Sequence, residues 1–97
     1  MERQEVLSRL RQSLPGLKTR YGVAHLFLFG SVARDEAGPA SDVDLLVEFI
    51  GPATLDGFMG LKGELEEFLG LPVDLATPKS LRPALRALVE KDLLDVA

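Results

Sequence analysis

The sequence has no cysteine among its 97 residues, which excludes disulfides, thiolate metal sites and a thiol nucleophile. Basic residues are not in excess either, since 11 Lys and Arg face 15 Asp and Glu and give a net charge of −4. We therefore exclude a long nucleic acid as partner, because binding one requires a broad basic surface. The charged start is not a signal peptide, and no apolar run approaches the ~20 residues of a membrane span. We expect a cytoplasmic protein that makes no membrane contact.

The hydrophobic fraction of 46% and the charged fraction of 27% are typical of one globular domain, here spanning 1–97. The predicted elements are a first helix that ends or kinks near Pro15-Gly16, strand 23–29, a short helix 31–37 ended by Gly38-Pro39, strand 42–50, helix 55–69, strand 73–76 and a last helix capped by Ser80. This αβαβαβα order predicts an α/β fold, in which helices flank a small mixed sheet. His25, the only histidine, lies in an apolar strand, and we expect a packed side chain rather than a ligand.

The acidic excess is local. Residues 31–50 contain one base and five acids, so their net charge of 1 − 5 = −4 equals that of the whole chain. Asp42 and Asp44 begin a strand whose alternate residues are apolar, which points both carboxylates to one side. Such a pair repels unless a hard cation such as Mg²⁺ neutralises it. Asp74 interrupts the next apolar strand and would join them if the strands are neighbours, although a strand-end acid that caps a turn remains an alternative.

A candidate anion site precedes these acids. Gly30-Ser31 follows the first strand and begins a helix, where free backbone N–H groups favour a phosphate. Arg34 lies one turn further and would add a positive charge, although an ordinary helix start with a solvent-facing arginine is the alternative. Each piece is common alone. An anion site that faces a cation site across one sheet edge is what a nucleoside triphosphate with Mg²⁺ requires.

The stretch Leu28-Phe29-Gly30-Ser31-Val32-Ala33-Arg34, followed after ten intervening residues by Asp42-Val43-Asp44-Leu45-Leu46-Val47, resembles the minimal nucleotidyltransferases, the smallest members of the polymerase-β-like superfamily. Leu71–Leu81 is similar to the family's third-carboxylate strand and the helix entry after it. The sequence departs from the family pattern at Asp35, where members often carry glycine, and in its acidic ending, which lacks an aromatic residue.

The resemblance implies a palm-type fold and a site chemistry. Asp42, Asp44 and Asp74 would be the catalytic residues and would bind two Mg²⁺ ions, while Gly30, Ser31 and Arg34 would hold the triphosphate of ATP. AMP would pass to a hydroxyl of a protein partner, which in this family is usually a helical HEPN-type RNase toxin for which the nucleotidyltransferase is the antitoxin.

Other functions stay open from the sequence. A non-catalytic antitoxin would neutralise its partner by contact and keep the nucleotide site as a relic, and a structural domain would use its acids only for solvation. A templated polymerase is disfavoured by the lack of basic surface, and a small-molecule transferase by the lack of an acceptor domain. So short a chain has little room for both nucleotide and acceptor, which predicts a partner chain or a homo-oligomer.

Overall fold

The computed structural model describes residues 2–38 and 41–96. Its elements, in chain order, are α1 (Arg3–Tyr21), β1 (Val23–Phe29), α2 (Gly30–Ala33), β2 (Val43–Phe49), α3 (Leu55–Leu69), β3 (Val73–Ala76), a 3-10 turn (Pro78–Ser80), α4 (Pro83–Asp92) and β4 (Leu94–Asp95). The strands form one sheet in the order β3-β2-β1-β4. β2 and β3 are parallel, while β1 is antiparallel to both β2 and β4. The predicted α/β class with a small mixed sheet is confirmed.

The two faces of the sheet differ in chemistry because strand side chains alternate. One face buries aliphatic residues against α1 and α3, and this is the main core; its sheet members are Val23, Leu26, Leu28, Val43, Leu45, Val47, Val73 and Leu75. The opposite face, which we call the site face, carries the residues between them and is partly covered by α4. The carboxylates of Asp44 and Asp74 therefore lie on the site face.

The first helix runs through the predicted break at Pro15-Gly16 and ends only at Gly22, whose φ of 66° forms the left-handed cap. Proline removes one helical hydrogen bond and disfavours the helix interior. Here Leu14 and Leu17, on either side of the pair, are buried in the core. Core packing of the apolar stripe therefore outweighs the local cost.

The C-terminal region differs from the prediction in two ways. Ser80 does not cap α4, because its hydroxyl and backbone N–H close a capping box with Thr77 around the 3-10 turn. α4 begins after Arg82, with Pro83 in its first turn. β4 was not predicted, since its two residues are too few to show a periodicity.

The short helix after β1 is also shorter than expected, because α2 ends at Ala33. Asp35 adopts a left-handed φ of 61°, which a continuing helix does not allow. Glycine takes this conformation without strain, and aspartate tolerates it better than most residues. The departure from the family pattern at this position therefore falls on a left-handed turn. Of the predicted helix end at Gly38-Pro39, Pro39 lies outside the described residues.

His25 is not the packed residue that its sequence neighbourhood predicts. It is exposed on the site face, with its ring centroid 6.1 Å from that of Phe27. Its position follows the ordinary alternation of β1, in which His25, Phe27 and Phe29 share the site face; the irregularity in the β1–β2 register lies before it, between Val23 and His25. Among residues 2–38 and 41–96, no helix is both long enough and apolar enough to cross a membrane.

Candidate active site

Two aspartates lie side by side on the site face. Asp44 on β2 and Asp74 on β3 are register partners in the parallel pair, so they point the same way from strands about 4.8 Å apart. Asp42 lies just before β2 and is exposed. The sequence left open whether β3 neighbours β2, and the observed pairing brings Asp74 to Asp44.

The environment of Asp44 opposes its charge. Its pKa is raised from 3.8 to about 6, first by burial and then by the negative charges of Asp74 and Asp42, while Arg34 acts in the opposite direction. A group that loses hydration next to like charges holds its proton more tightly. The site thus contains unrelieved negative charge, which a cation would stabilise.

Gly30 connects the predicted phosphate turn to the carboxylates. A Cβ atom added at Gly30 would lie 2.9 Å from Asp44 Cγ and nearer still to Oδ2. The residue also has a φ of 74°, which L-residues other than glycine rarely adopt. Space and conformation both require glycine here, and the backbone that precedes Ser31 therefore lies directly against the Asp44 carboxylate.

Arg34, at the C-terminal end of α2, does not point freely into solvent. Its Nη1 donates to Asp92 Oδ2 at 2.6 Å and its Nε donates to Glu36 Oε2 at 3.1 Å. These two ion pairs raise the pKa of the guanidinium further. The structure thus places Arg34 within electrostatic reach of Asp44, but two carboxylates already share its charge.

The donor set fits the chemistry of Mg²⁺, although the side chains are not gathered around one point. Carboxylate oxygens are the protein ligands that Mg²⁺ prefers, and crowded negative charge is what such an ion relieves. Nevertheless, the described ranges contain no group of three or more His, Asp or Glu side chains in an arrangement that could hold a metal ion. The assignment of Asp42, Asp44 and Asp74 as metal ligands therefore stays a prediction.

Several residues beside the site were missed in the sequence. Asp92, which binds Arg34, is 58 positions away, and nothing in the spacing connects the two. Leu46 and Glu48 follow Asp44 at two-residue steps, so strand alternation places them on the same face. Phe27 is the register partner of Leu46. The alternation of residues along β2 therefore indicated the face of Leu46 and Glu48. Nothing in the sequence indicated that β1 pairs with β2 and brings Phe27 beside them.

Similarity to known proteins agrees with this geometry. Residues 10–96 match the family described as a nucleotidyltransferase domain. Protein adenylyltransferase MntA of Thermococcus cleftensis is 38% identical over 93 residues, which cover 96% of this chain and 94% of that protein. A solved structure named as a minimal nucleotidyltransferase has a TM-score of 0.81 at 38% identity, over 97% of this chain and 95% of that one.

A solved structure of lower sequence identity shares the fold. A chain of the complex between an MNT antitoxin and an AMPylated HEPN toxin of Shewanella oneidensis has a TM-score of 0.70 at 19% identity, over 98% of this chain and 71% of that one. Because the family match covers most of the sequence and the fold agrees with it, the chain belongs to the nucleotidyltransferase family, in its minimal form. The family resemblance found in the sequence is confirmed.

Proposed function

We propose that this protein transfers AMP from ATP to a hydroxyl group of a HEPN-type protein partner, with Mg²⁺, and thereby acts as an antitoxin. The observation that carries the proposal is the in-register pair of Asp44 and Asp74 directly beside the Gly30-Ser31 turn. The name of the Thermococcus relative, a protein adenylyltransferase, supports AMP as the transferred group. The AMPylated HEPN toxin in the Shewanella complex supports the nature of the acceptor.

Asp42, Asp44 and Asp74 would hold the Mg²⁺ ions, two in the family pattern. When bound, Mg²⁺ supplies positive charge that neutralises the carboxylates and the phosphate groups. The backbone at Gly30 and Ser31 would cradle the triphosphate, close to the Asp44 carboxylate. Arg34 would donate from Nη2 to a phosphate oxygen while its Nε and Nη1 donate to Glu36 and Asp92.

The reaction needs few chemical groups from the chain. The acceptor oxygen attacks the α-phosphorus, the bond to the bridging oxygen of the β-phosphate breaks, and pyrophosphate leaves with that electron pair. Asp74 would orient the acceptor hydroxyl and accept its proton. The chain contributes mainly by positioning the reactants, which is typical of phosphoryl-group chemistry. The acceptor hydroxyl comes from a second chain, the HEPN partner.

A labelling experiment tests the proposal. The protein and Mg²⁺ are incubated with ATP labelled on the α-phosphate and with the product of the neighbouring gene, which we expect to be the HEPN protein. We expect label on the HEPN protein, its loss in the presence of EDTA, and its loss in Asp42→Asn and Asp44→Asn. Asp56→Asn is the matched control, since Asp56 is exposed on α3, which packs against the other face.

The same experiment separates catalysis from simple contact. A pull-down of the HEPN protein with each variant reports binding independently of transfer. Binding without transfer by the wild-type protein would support a contact-only antitoxin and overturn the proposal. Transfer that survives in Asp44→Asn would remove the carboxylates from the mechanism.

A further inference from the structure

A cavity of about 260 Å³ lies on the site face beneath α4. Its floor is Phe27 and Leu46, its roof includes Val89 from α4, and Glu48 lies at one end. We call it the α4 cavity. Leu46 and Val89 are both buried but do not belong to the main core. The cavity is therefore separate from the main core, and its lining is mostly apolar but also includes the charged residues Glu48, Arg86 and Glu90.

The α4 cavity begins one row of side chains away from the carboxylates. The register places Phe29, Asp44 and Asp74 in one row across the site face, and Phe27, Leu46 and Ala76 in the next. Glu48 follows in the third row, opposite His25. Residues two apart on a strand are about 6.6 Å apart. A nucleotide whose phosphate lies beside Asp44 would therefore extend first over the apolar side chains of the second row and then reach the Glu48 carboxylate.

The order of these surfaces along β2 matches the order of phosphate, sugar and base in a nucleotide. A ligand pocket is usually mostly apolar, with a few polar groups that fix the orientation. An aromatic side chain such as Phe27 offers a stacking surface for a base. The path from Asp44 to Glu48 along β2 is about 13 Å, comparable with the length of a nucleoside monophosphate. The volume admits a base and its sugar, which leaves the triphosphate outside, over the carboxylate row.

We propose that the α4 cavity binds the adenine base of ATP, with the ring on Phe27 and Leu46, and that the Glu48 carboxylate accepts a hydrogen bond from the 6-amino group. The proposal rests on the proposed function, since it assumes that the triphosphate lies at Gly30 and Asp44. Glu48 would be a specificity residue, because a base without an amino group leaves its carboxylate without that partner.

Binding of nucleotide analogues tests this assignment. Dissociation constants are measured by calorimetry in the presence of Mg²⁺ for ATP, for purine riboside triphosphate, which lacks only the 6-amino group, and for inorganic tripolyphosphate. The wild-type protein should prefer ATP over purine riboside triphosphate about tenfold, the lower end for a hydrogen bond to a charged group. Glu48→Ala should reduce this preference to less than about twofold, and Glu48→Gln, which keeps an acceptor oxygen, should retain part of it.

Controls separate the cavity from the rest of the site. Glu48 is exposed, so its replacement should leave the fold and the affinity for tripolyphosphate unchanged. Glu67→Ala, an exposed glutamate on α3, should keep the wild-type preference. Equal binding of the two triphosphates by the wild-type protein, or a preference that survives in Glu48→Ala, overturns the cavity assignment and leaves the proposed function standing.

Two further outcomes are informative. If neither ATP nor tripolyphosphate binds, the proposed function fails and the cavity assignment fails with it. If Glu48→Ala lowers AMP transfer to the HEPN protein but leaves the ATP preference unchanged, the cavity receives the acceptor instead of the base, which also overturns the assignment.

Discussion

Replacing Asp44 with asparagine should make the metal-free protein more stable. Asn has nearly the same shape but no charge, so it removes the repulsion from Asp74 and Asp42 and the cost of burying a carboxylate. The pKa of Asp44 is raised from 3.8 to about 6. At ~1.4 kcal/mol per pKa unit this is ~3 kcal/mol. Because Asp44 is only half-buried, water screens the effect, and we expect about 1 kcal/mol.

The size of this stability difference depends on pH. The pKa of Asp44 is higher in the folded protein than in the unfolded chain, so its ionisation destabilises the fold as pH rises from about 4 through about 6. At pH 7.5 the full difference between Asp44→Asn and the wild-type protein should be present, whereas near pH 4 it should disappear. A gain of about 1 kcal/mol corresponds to a rise in Tm of ~4–8 °C for a domain of this size.

Urea denaturation in EDTA measures this difference at pH 7.5 and pH 4. Glu67→Gln is the matched control for loss of one negative charge, and we expect no change. Mg²⁺ should stabilise the wild-type protein more than Asp44→Asn, since the variant lacks one candidate ligand. An Asp44→Asn protein that is less stable than wild type at pH 7.5 would refute the view that the carboxylates repel each other.

Three other substitutions test particular features. Gly30→Ala should lower the free energy of unfolding by about 2 kcal/mol, from a left-handed φ and a steric clash, whereas Gly38→Ala, which has open space around it, should be nearly neutral in urea denaturation. Asp35→Gly should raise it by ~0.5–1 kcal/mol, since glycine adopts a φ of 61° without strain; a lower Tm would contradict this. The pKa of Glu66 is lowered because its carboxylate accepts from the backbone N–H of Val73, so its stabilisation is present above pH 4.5 and is lost as pH falls. Wild type should therefore lose its stability advantage over Glu66→Gln as pH falls below 4.5, and a constant difference would exclude this role.

The sequence predicted the elements that have a clear repeat or a strong terminator. The helix 55–69 was predicted with its bounds correct, because Gly70 closes it in a left-handed conformation and its apolar residues keep helical spacing. The predicted end of the helix at Pro15-Gly16 was wrong, since local propensity does not include the core packing of Leu14 and Leu17; the alternative, a kink at this pair, stays a prediction. A capping signal was assigned to the wrong element at Ser80, where two turns follow each other closely.

The candidate site was predictable in its residues and less so in its geometry. Strand alternation placed Asp44 correctly, and the neighbouring strands brought Asp74 to it. Sequence could not predict that Arg34 would be engaged by Asp92, because that contact depends on how α4 returns to the sheet. The α4 cavity likewise depends on the packing of a helix over two paired strands, which no local pattern encodes.

The alternation of apolar and acidic residues in β3 also disfavours a shifted pairing register of this strand. Val73 and Leu75 face the core while Asp74, between them, faces the opposite side. If β3 docked one residue out of register, all three side chains would change faces. The slipped sheet would bury a charged aspartate among leucines at a cost of several kcal/mol and expose two aliphatic side chains. Asp74, which is proposed as a catalytic residue, therefore also disfavours misaligned pairing of β3. Each molecule that forms its native core consequently has the site in register as well.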